Sequence, residues 1–139
     1  RLLDHLRQFA LQGVVLPAID PRDTHSYWFC LLRLDPARFS CTRDEFVAAL
    51  VAEGAQAVAG YIPKPVYGYP LFQNHNFFSG GWPLRDAGLT TMDYRTVKCP
   101  VAETMLAEGV SLPINPGLTD EIIDQTAAAL AKVAQHFAA

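Results

Sequence analysis

The side chains best suited to contact a ligand fall between residues 61 and 76. Aromatic rings, amides and an imidazole follow one another there, a mixture that suits a sugar-like or other polar ring ligand. The lysine of the YIPKPVY segment stands between two prolines and could meet a phosphate or a carboxylate. The residues that we predict to bind a small-molecule substrate are Tyr61, Lys64, Tyr67, Asn74, His75 and Asn76.

The same part of the chain has two other interpretations. Its aromatic residues could pack against another domain or subunit, and Lys64 could be an ordinary solvated lysine. A third hypothesis, a small α/β enzyme in which His75 acts with Asn74 or Asn76, lacks a positioned nucleophile. The aromatic residues of the packing interpretation are Phe72, Phe77, Phe78 and Trp82.

No catalytic site that the chain could assemble alone is visible in the sequence. It contains no G-x-S-x-G turn, no G-x-x-x-x-G-K-[ST] phosphate loop and no G-x-G-x-x-G turn. Glu103 and Glu108 share a predicted helix, but their spacing points them to different faces. Cys30, Cys41 and Cys99 have no recognisable metal-ligand spacing. We therefore predict no catalytic residue and no metal ligand in this chain.

Composition narrows the class of protein. With 139 residues, 50% of them hydrophobic and 18% charged, the chain can bury the core of one domain without metal or disulfides. The net charge of -3 argues against a nucleic acid or an anionic membrane as partner, because either would need a basic surface. The odd number of cysteines and the lack of a long apolar run fit a cytoplasmic protein.

Hydrophobic periodicity predicts strands that alternate with helices. A first helix is expected over residues 1–12, with Gly13 as its stop. Residues 25–34, HSYWFCLLRL, carry almost no charge and predict a central strand covered on both faces. Residues 55–62 and 110–114 predict two further short strands. The strands therefore come from distant parts of the chain, and the helices between them must pack on the sheet.

Capping residues mark the starts of the other helices. The segment TRDE, from Thr42 to Glu45, is a capping box, and Val51 belongs to the apolar stripe expected behind it. Residues 67–96 predict a long irregular loop, of a kind that usually binds or covers something. CPVAETMLAEG then predicts a helix with proline in its first turn, and SLPINPGLTDEII predicts a rigid corner before a last helix capped by Thr119. The order of the elements predicts an α/β fold class, with helices packed on a small sheet.

Several of these motifs resemble the carboxy-terminal domain of the DegT/DnrJ/EryC1/StrS aminotransferases, which are fold-type-I pyridoxal-phosphate enzymes. The motifs are SYWFCLLRLD, TRDEFVAALVAEG, YIPKPVY, CPVAE and SLPINPGLTDEIIDQ, in the order of the family. The resemblance runs from about His25 to Phe137. It implies that residues 14–139 form the small domain, of the α+β type with helices packed on a small, mostly antiparallel sheet. It also implies that residues 1–13 end the helix joining this domain to a large domain. Many members aminate nucleotide-linked keto-sugars or keto-cyclitols.

The resemblance also implies what this chain should lack. In the family the large amino-terminal domain carries the lysine that binds pyridoxal 5'-phosphate, and that domain is expected to be absent here. Lys64 and Lys98 match no catalytic position, so no covalent attachment of the cofactor is expected. The implied partners are the large domain, a second copy in a homodimer, and the small-molecule substrate. The small domain would complete the substrate cleft, with glutamate as the suggested amino donor.

One departure from the family pattern leaves the substrate open. Many sugar aminotransferases read roughly HYPxPLH where this chain has GYIPKPVY, so that Gly60 and Tyr67 replace two histidines. This is closer to the members that act on cyclitols and other unusual keto substrates. An alternative remains, namely a free-standing binding or assembly module with the same fold. The isolated chain is not expected to be active in either case.

Overall fold

A computed structural model describes all of residues 1–139 and shows two compact units. Unit 1 comprises Arg1–Tyr61 and Ala107–Ala139, and unit 2 comprises Ile62–Leu106. The strands are β1 (Val14–Val15), β2 (Phe29–Leu34), β3 (Val58–Ala59) and β4 (Gly109–Pro113). The helices are α1 (Leu2–Gln8), α2 (Arg43–Ala52), α3 (Pro70–Gln73), α4 (Pro83–Asp86), α5 (Pro100–Glu108) and α6 (Asp120–His136).

Unit 1 is built on an antiparallel sheet with the strand order β1-β2-β4-β3. The pairing of β2 with β4 is the longest, and it runs from Phe29 opposite Pro113 to Arg33 opposite Gly109. The helices α1 and α2 both pack on α6, and α2 also contacts β3 and β4. The α+β fold class with a small antiparallel sheet is therefore confirmed.

The predicted central strand is confirmed in its position but not in its length or its burial. It begins at Phe29, four residues later than expected from residues 25–34. Cys30, Leu32 and Leu34 are buried, whereas Leu31 and the other outward residues are only half-buried. The expectation of two covered faces was wrong, because consecutive strand residues point to opposite faces and helices cover one of them. The strand predicted over residues 55–62 likewise shortens to Val58–Ala59.

The helix α2 shows that local signals specify its ends well. The Thr42 hydroxyl accepts from the Glu45 amide, and the Glu45 carboxylate accepts from the Thr42 amide, as the capping box predicts. At the other end the amides of Gly54 and Ala55 donate to the carbonyls of Val51 and Leu50, which is a Schellman motif. The predicted burial of Val51 is wrong, since 53% of it is exposed on the solvent side of the helix.

Other helix predictions succeed or fail in instructive ways. The last helix begins behind its Thr119 cap as predicted, but alanines supply much of its buried face. The predicted helix over residues 1–12 ends at Gln8, and Ala10 takes a left-handed conformation with φ of 45°. The buried alanines of α6 are Ala127, Ala129, Ala131 and Ala134.

Unit 2 contains short helical turns where a long irregular loop was expected over residues 67–96. A 3₁₀ turn spans Val66–Gly68, followed by α3 and α4, each of one turn. Between α3 and α4 the chain reverses at Phe78 and Gly81, which form an isolated antiparallel bridge. The helix predicted from CPVAETMLAEG is confirmed as α5, with Pro100 at its start.

Gly13 and Gly54 allow a test of how tightly the turn before β1 is packed. Both have a positive φ, 81° and 92°. A Cβ at Gly13 would lie 2.6 Å from the Cβ of Arg38 and 2.7 Å from the Phe39 ring, whereas at Gly54 nothing lies within 4 Å. We expect Gly54→Ala to lower the free energy of unfolding by about 1–2 kcal/mol, the cost of the left-handed backbone alone.

Gly13→Ala carries the same backbone cost and an additional clash. We expect Gly13→Ala to lower the free energy of unfolding by a further amount of about 1–3 kcal/mol, as for overpacking of a dense interior. Urea denaturation followed by circular dichroism measures both variants. Equal losses for Gly13→Ala and Gly54→Ala would contradict the close approach of Gly13 to Phe39.

Candidate functional site

Tyr61 lies in unit 1, where it forms an aromatic platform with Trp28 and Phe29. The Tyr61 ring stacks on that of Phe29 with centroids 5.0 Å apart, and it meets Trp28 edge-on at 6.5 Å. Trp28 is 76% exposed and Tyr61 56% exposed. The sequence indicated Tyr61 but missed its two partners, although an adjacent Trp-Phe pair at the start of a strand was a visible signal.

Hydrogen bonds of the sheet hold the backbone of this platform. The Trp28 carbonyl accepts from the Ile114 amide at 2.9 Å, which extends the pairing of β2 with β4. Before Tyr61, the Gly60 carbonyl accepts from the buried hydroxyl of Ser111 at 2.7 Å. The Gly60 amide in turn donates to the Gly109 carbonyl at 2.7 Å. The rings therefore project from a fixed backbone and not from a free loop.

His75 lies in unit 2 within a cluster of aromatic rings. Its imidazole is 5.0 Å from the ring of Trp82 and 6.2 Å from that of Tyr94. Arg85 Nη1 lies 3.0 Å from Nδ1 and must donate to it, whereas Nε2 lies 3.4 Å from both the Tyr94 amide and Asp93 Oδ1. Both nitrogens thus have protein partners. The other rings of the cluster are Phe72 and Phe77.

A second arginine fixes the carboxylate that faces His75. Arg95 binds Asp93 through Nε at 2.8 Å and Nη2 at 2.5 Å, a bidentate pair. These hydrogen bonds hold the pKa of Asp93 well below its usual range, and the charge of Arg95 adds to the effect. The site around His75 therefore keeps a carboxylate anion at any pH near neutrality.

Tyr67 belongs to a separate hydrogen-bonded group with α5. Its hydroxyl donates to Glu103 Oε1 and accepts from the Cys99 amide at 3.3 Å. The same carboxylate oxygen lies 3.4 Å from that amide. The hydrogen bond between the Tyr67 hydroxyl and the Glu103 carboxylate raises the pKa of Tyr67 and lowers the pKa of Glu103. No local motif links Tyr67 to Glu103, so the sequence could not reveal the pair.

The remaining predicted ligand residues are open to solvent. Lys64 is exposed, and its Nζ lies 5.4 Å from the centre of the Tyr69 ring, within reach of a cation–π contact. Asn74 ends α3 and is exposed, as is Asn76. Their assignment to substrate binding therefore remains a prediction.

Comparison with known proteins decides the family. The DegT/DnrJ/EryC1/StrS aminotransferase family matches residues 4–131. The chain belongs to this family. No curated protein matches it.

Solved structures share the fold of this DegT-family chain. An aminotransferase from Psychrobacter cryohalolentis matches with a TM-score of 0.72 and 19% identity, over 98% of this chain and 32% of that protein. DesV of S. venezuelae, solved with a ketimine intermediate, matches with a TM-score of 0.65 and 21% identity, over 97% of this chain and 31% of DesV. DesI, solved in the presence of its TDP-sugar product, matches with a TM-score of 0.60 and 22% identity, over 96% of this chain and 30% of DesI. The chain thus spans about a third of the length of the proteins that it matches.

The family's cofactor does not fit the residues of this chain. Pyridoxal phosphate needs an amine enclosed in a pocket, but Lys64, Lys98 and Lys132 are all exposed, and Lys132 is paired with Glu53 at 2.7 Å. No three acidic, histidine or cysteine side chains gather in a way that could hold a metal ion. None of the helices is long and apolar enough to cross a membrane.

The Tyr67–Glu103 pair gives a prediction on pKa. We expect Tyr67→Phe to raise the pKa of Glu103 toward its ordinary value of 4.5, because the hydroxyl that stabilises the carboxylate is lost. Carbon-detected NMR titration of the glutamate carboxyl carbons measures the shift. Tyr69→Phe is the matched control, and it should leave Glu103 unchanged.

The sign of the accompanying pH effect follows from the lowered pKa of Glu103. The ionised Glu103 contributes fully to stability above pH 4.5, its pKa in the unfolded chain. This contribution is lost as the pH falls through the lower pKa that Glu103 has in the folded protein. Tyr67→Phe should therefore flatten the acid limb of the stability curve. An unaltered Glu103 titration in Tyr67→Phe would show that the hydroxyl does not set this pKa.

Proposed function

We propose that this chain serves as the small carboxy-terminal domain of a pyridoxal-phosphate-dependent aminotransferase that acts on a keto-sugar or a keto-cyclitol. The observation that carries the proposal is the fold match over 97% or more of this chain and only about a third of DesV and the Psychrobacter enzyme. A chain with that coverage corresponds to one lobe of such an enzyme. Residues 14–139 are the small domain in this proposal, and residues 1–13 end the connecting helix.

A nucleotide-linked keto-sugar is the favoured substrate class. DesI, which shares the fold over 96% of this chain, was solved in the presence of its TDP-sugar product. The departure at Gly60 and Tyr67 from the histidines of many sugar enzymes keeps the keto-cyclitols as the second class.

In this proposal the covalent chemistry takes place on the large amino-terminal domain. Pyridoxal phosphate held by the large domain would supply the electron sink for the reaction. The residues of this chain would help to bind and orient the substrate and to exclude water from the cleft. A homodimer in the cytoplasm is part of the proposal, supported by the free cysteines and by the exposed aromatic residue Phe78 of unit 2.

The test compares the 139-residue chain with the product of the complete gene. We expect the complete protein to transfer the amino group of glutamate to a TDP-keto-sugar or a keto-cyclitol, and the 139-residue chain to show no turnover. After incubation with one equivalent of pyridoxal phosphate and reduction with borohydride, mass spectrometry should find one stoichiometrically modified lysine in the complete protein, and only scattered partial labelling of exposed lysines in the 139-residue chain. The physical reason is that Lys64, Lys98 and Lys132 lie exposed.

Two results would contradict this proposal. A specific pyridoxyl adduct on Lys64 of the 139-residue chain would place the reactive amine in this domain, with Lys64→Arg as the control that abolishes it. A gene that opens immediately before Arg1 would instead favour the free-standing binding module. Activity of the complete protein on simple amino acids alone would remove the keto-sugar assignment and leave the lobe assignment intact.

A further inference from the structure

The aromatic platform of Trp28, Phe29 and Tyr61 has the properties of a stacking site. Its outer rings are among the most exposed large side chains of the protein, at 76% for Trp28 and 56% for Tyr61. Large aromatic residues in mutual contact at a surface usually mark a place where something binds. The three rings are uncharged, and such rings can stack on a planar group, lie against a sugar ring or face a cation.

The platform is ordered before any ligand arrives. Phe29 stacks on Tyr61 with an angle of 21° between the rings, and Trp28 meets Tyr61 at 77°. The flanking backbone is fixed by the bonds from Ile114 to Trp28 and from Ser111 to Gly60. A preordered surface loses little side-chain entropy on binding, which favours recognition of a small rigid group.

We propose that this platform binds the planar base of a nucleotide-linked substrate by stacking. The inference rests on the proposed function, which supplies a substrate of that class. Base–aromatic stacking needs a flat, uncharged, exposed ring and no hydrogen-bond code, and the platform meets these conditions. No cationic side chain belongs to it, so the diphosphate must be held elsewhere and the platform contributes affinity for the base alone.

NMR of the 139-residue chain provides the test, because it contains only two tryptophans. The indole N–H signal of the exposed Trp28 should shift saturably with thymidine 5'-diphosphate, while that of Trp82, which is 8% exposed, should stay in place as an internal reference. Trp28→Phe assigns the two signals. Pyrophosphate and glucose 1-phosphate, which lack a base, should shift neither.

Variants separate stacking from other contacts. We expect Tyr61→Ala and Trp28→Ala to weaken binding of thymidine 5'-diphosphate about tenfold or more, as for loss of a base-stacking ring. Tyr61→Phe keeps the ring and should bind like the parent. Phe78→Ala removes an exposed ring of unit 2 and is the matched control that should change nothing.

Several results would overturn the inference. They are the absence of any saturable Trp28 shift, equal binding of pyrophosphate, and unchanged affinity in both alanine variants. If Trp28→Ala left nucleotide binding unchanged but dissociated a dimer in sedimentation, the platform would be an interface between copies. If the complete protein catalyses transamination but Trp28 shows no nucleotide binding, only this inference is wrong. If Trp28 binds the nucleotide but the complete protein does not catalyse transamination, the proposed function is wrong.

Discussion

The pairing of β2 with β4 is the interaction on which unit 1 depends. The two strands come from opposite ends of the sequence, and the five register pairs from Phe29–Pro113 to Arg33–Gly109 join them. Closing so long a loop costs chain entropy, which only the burial of the core can offset. The buried side chains of both central strands, among them Leu32 and Leu112, lie in that core together with Leu130 of α6. The edge strands contribute only two residues each, and β1 pairs with β2 while β3 pairs with β4, so the central pair carries most of the sheet.

The placement of helices on one side of the sheet explains the surface chemistry of the other side. Alternate residues of β2 are buried, and those between them stay half-exposed and include Phe29 and Arg33. Arg33 pairs with Glu108 at 3.4 Å, so the charge on this side is matched. Val58 of the edge strand β3 is 55% exposed, and the outer rings of the aromatic platform are exposed at 76% for Trp28 and 56% for Tyr61.

Local features of this fold were predictable from sequence, and distant contacts were not. Thr42 and Thr119 cap their helices because the capping hydrogen bonds lie within one turn, where residue spacing specifies them. The burial of β2 was misjudged because an apolar run does not reveal which of its faces will be covered. Tyr67 and Glu103 lie far apart in the chain, and no periodicity relates them. Burial of the α6 alanines was missed for a related reason, since alanine gives a weak hydrophobic signal and is buried by close helix packing.

The state of the polar groups decides what such a domain can contribute to a reaction. The Tyr67 hydroxyl already donates to a carboxylate, and both nitrogens of His75 face protein partners. To accept or donate a proton to a substrate, either group would first have to break a charge-assisted contact, which costs free energy. The aromatic platform has no such prior commitment, because its exposed rings lose only water when a flat group covers them. Stacking is therefore the interaction that these surface residues can offer at the least cost, whereas the polar groups of Tyr67 and His75 are already engaged within the protein.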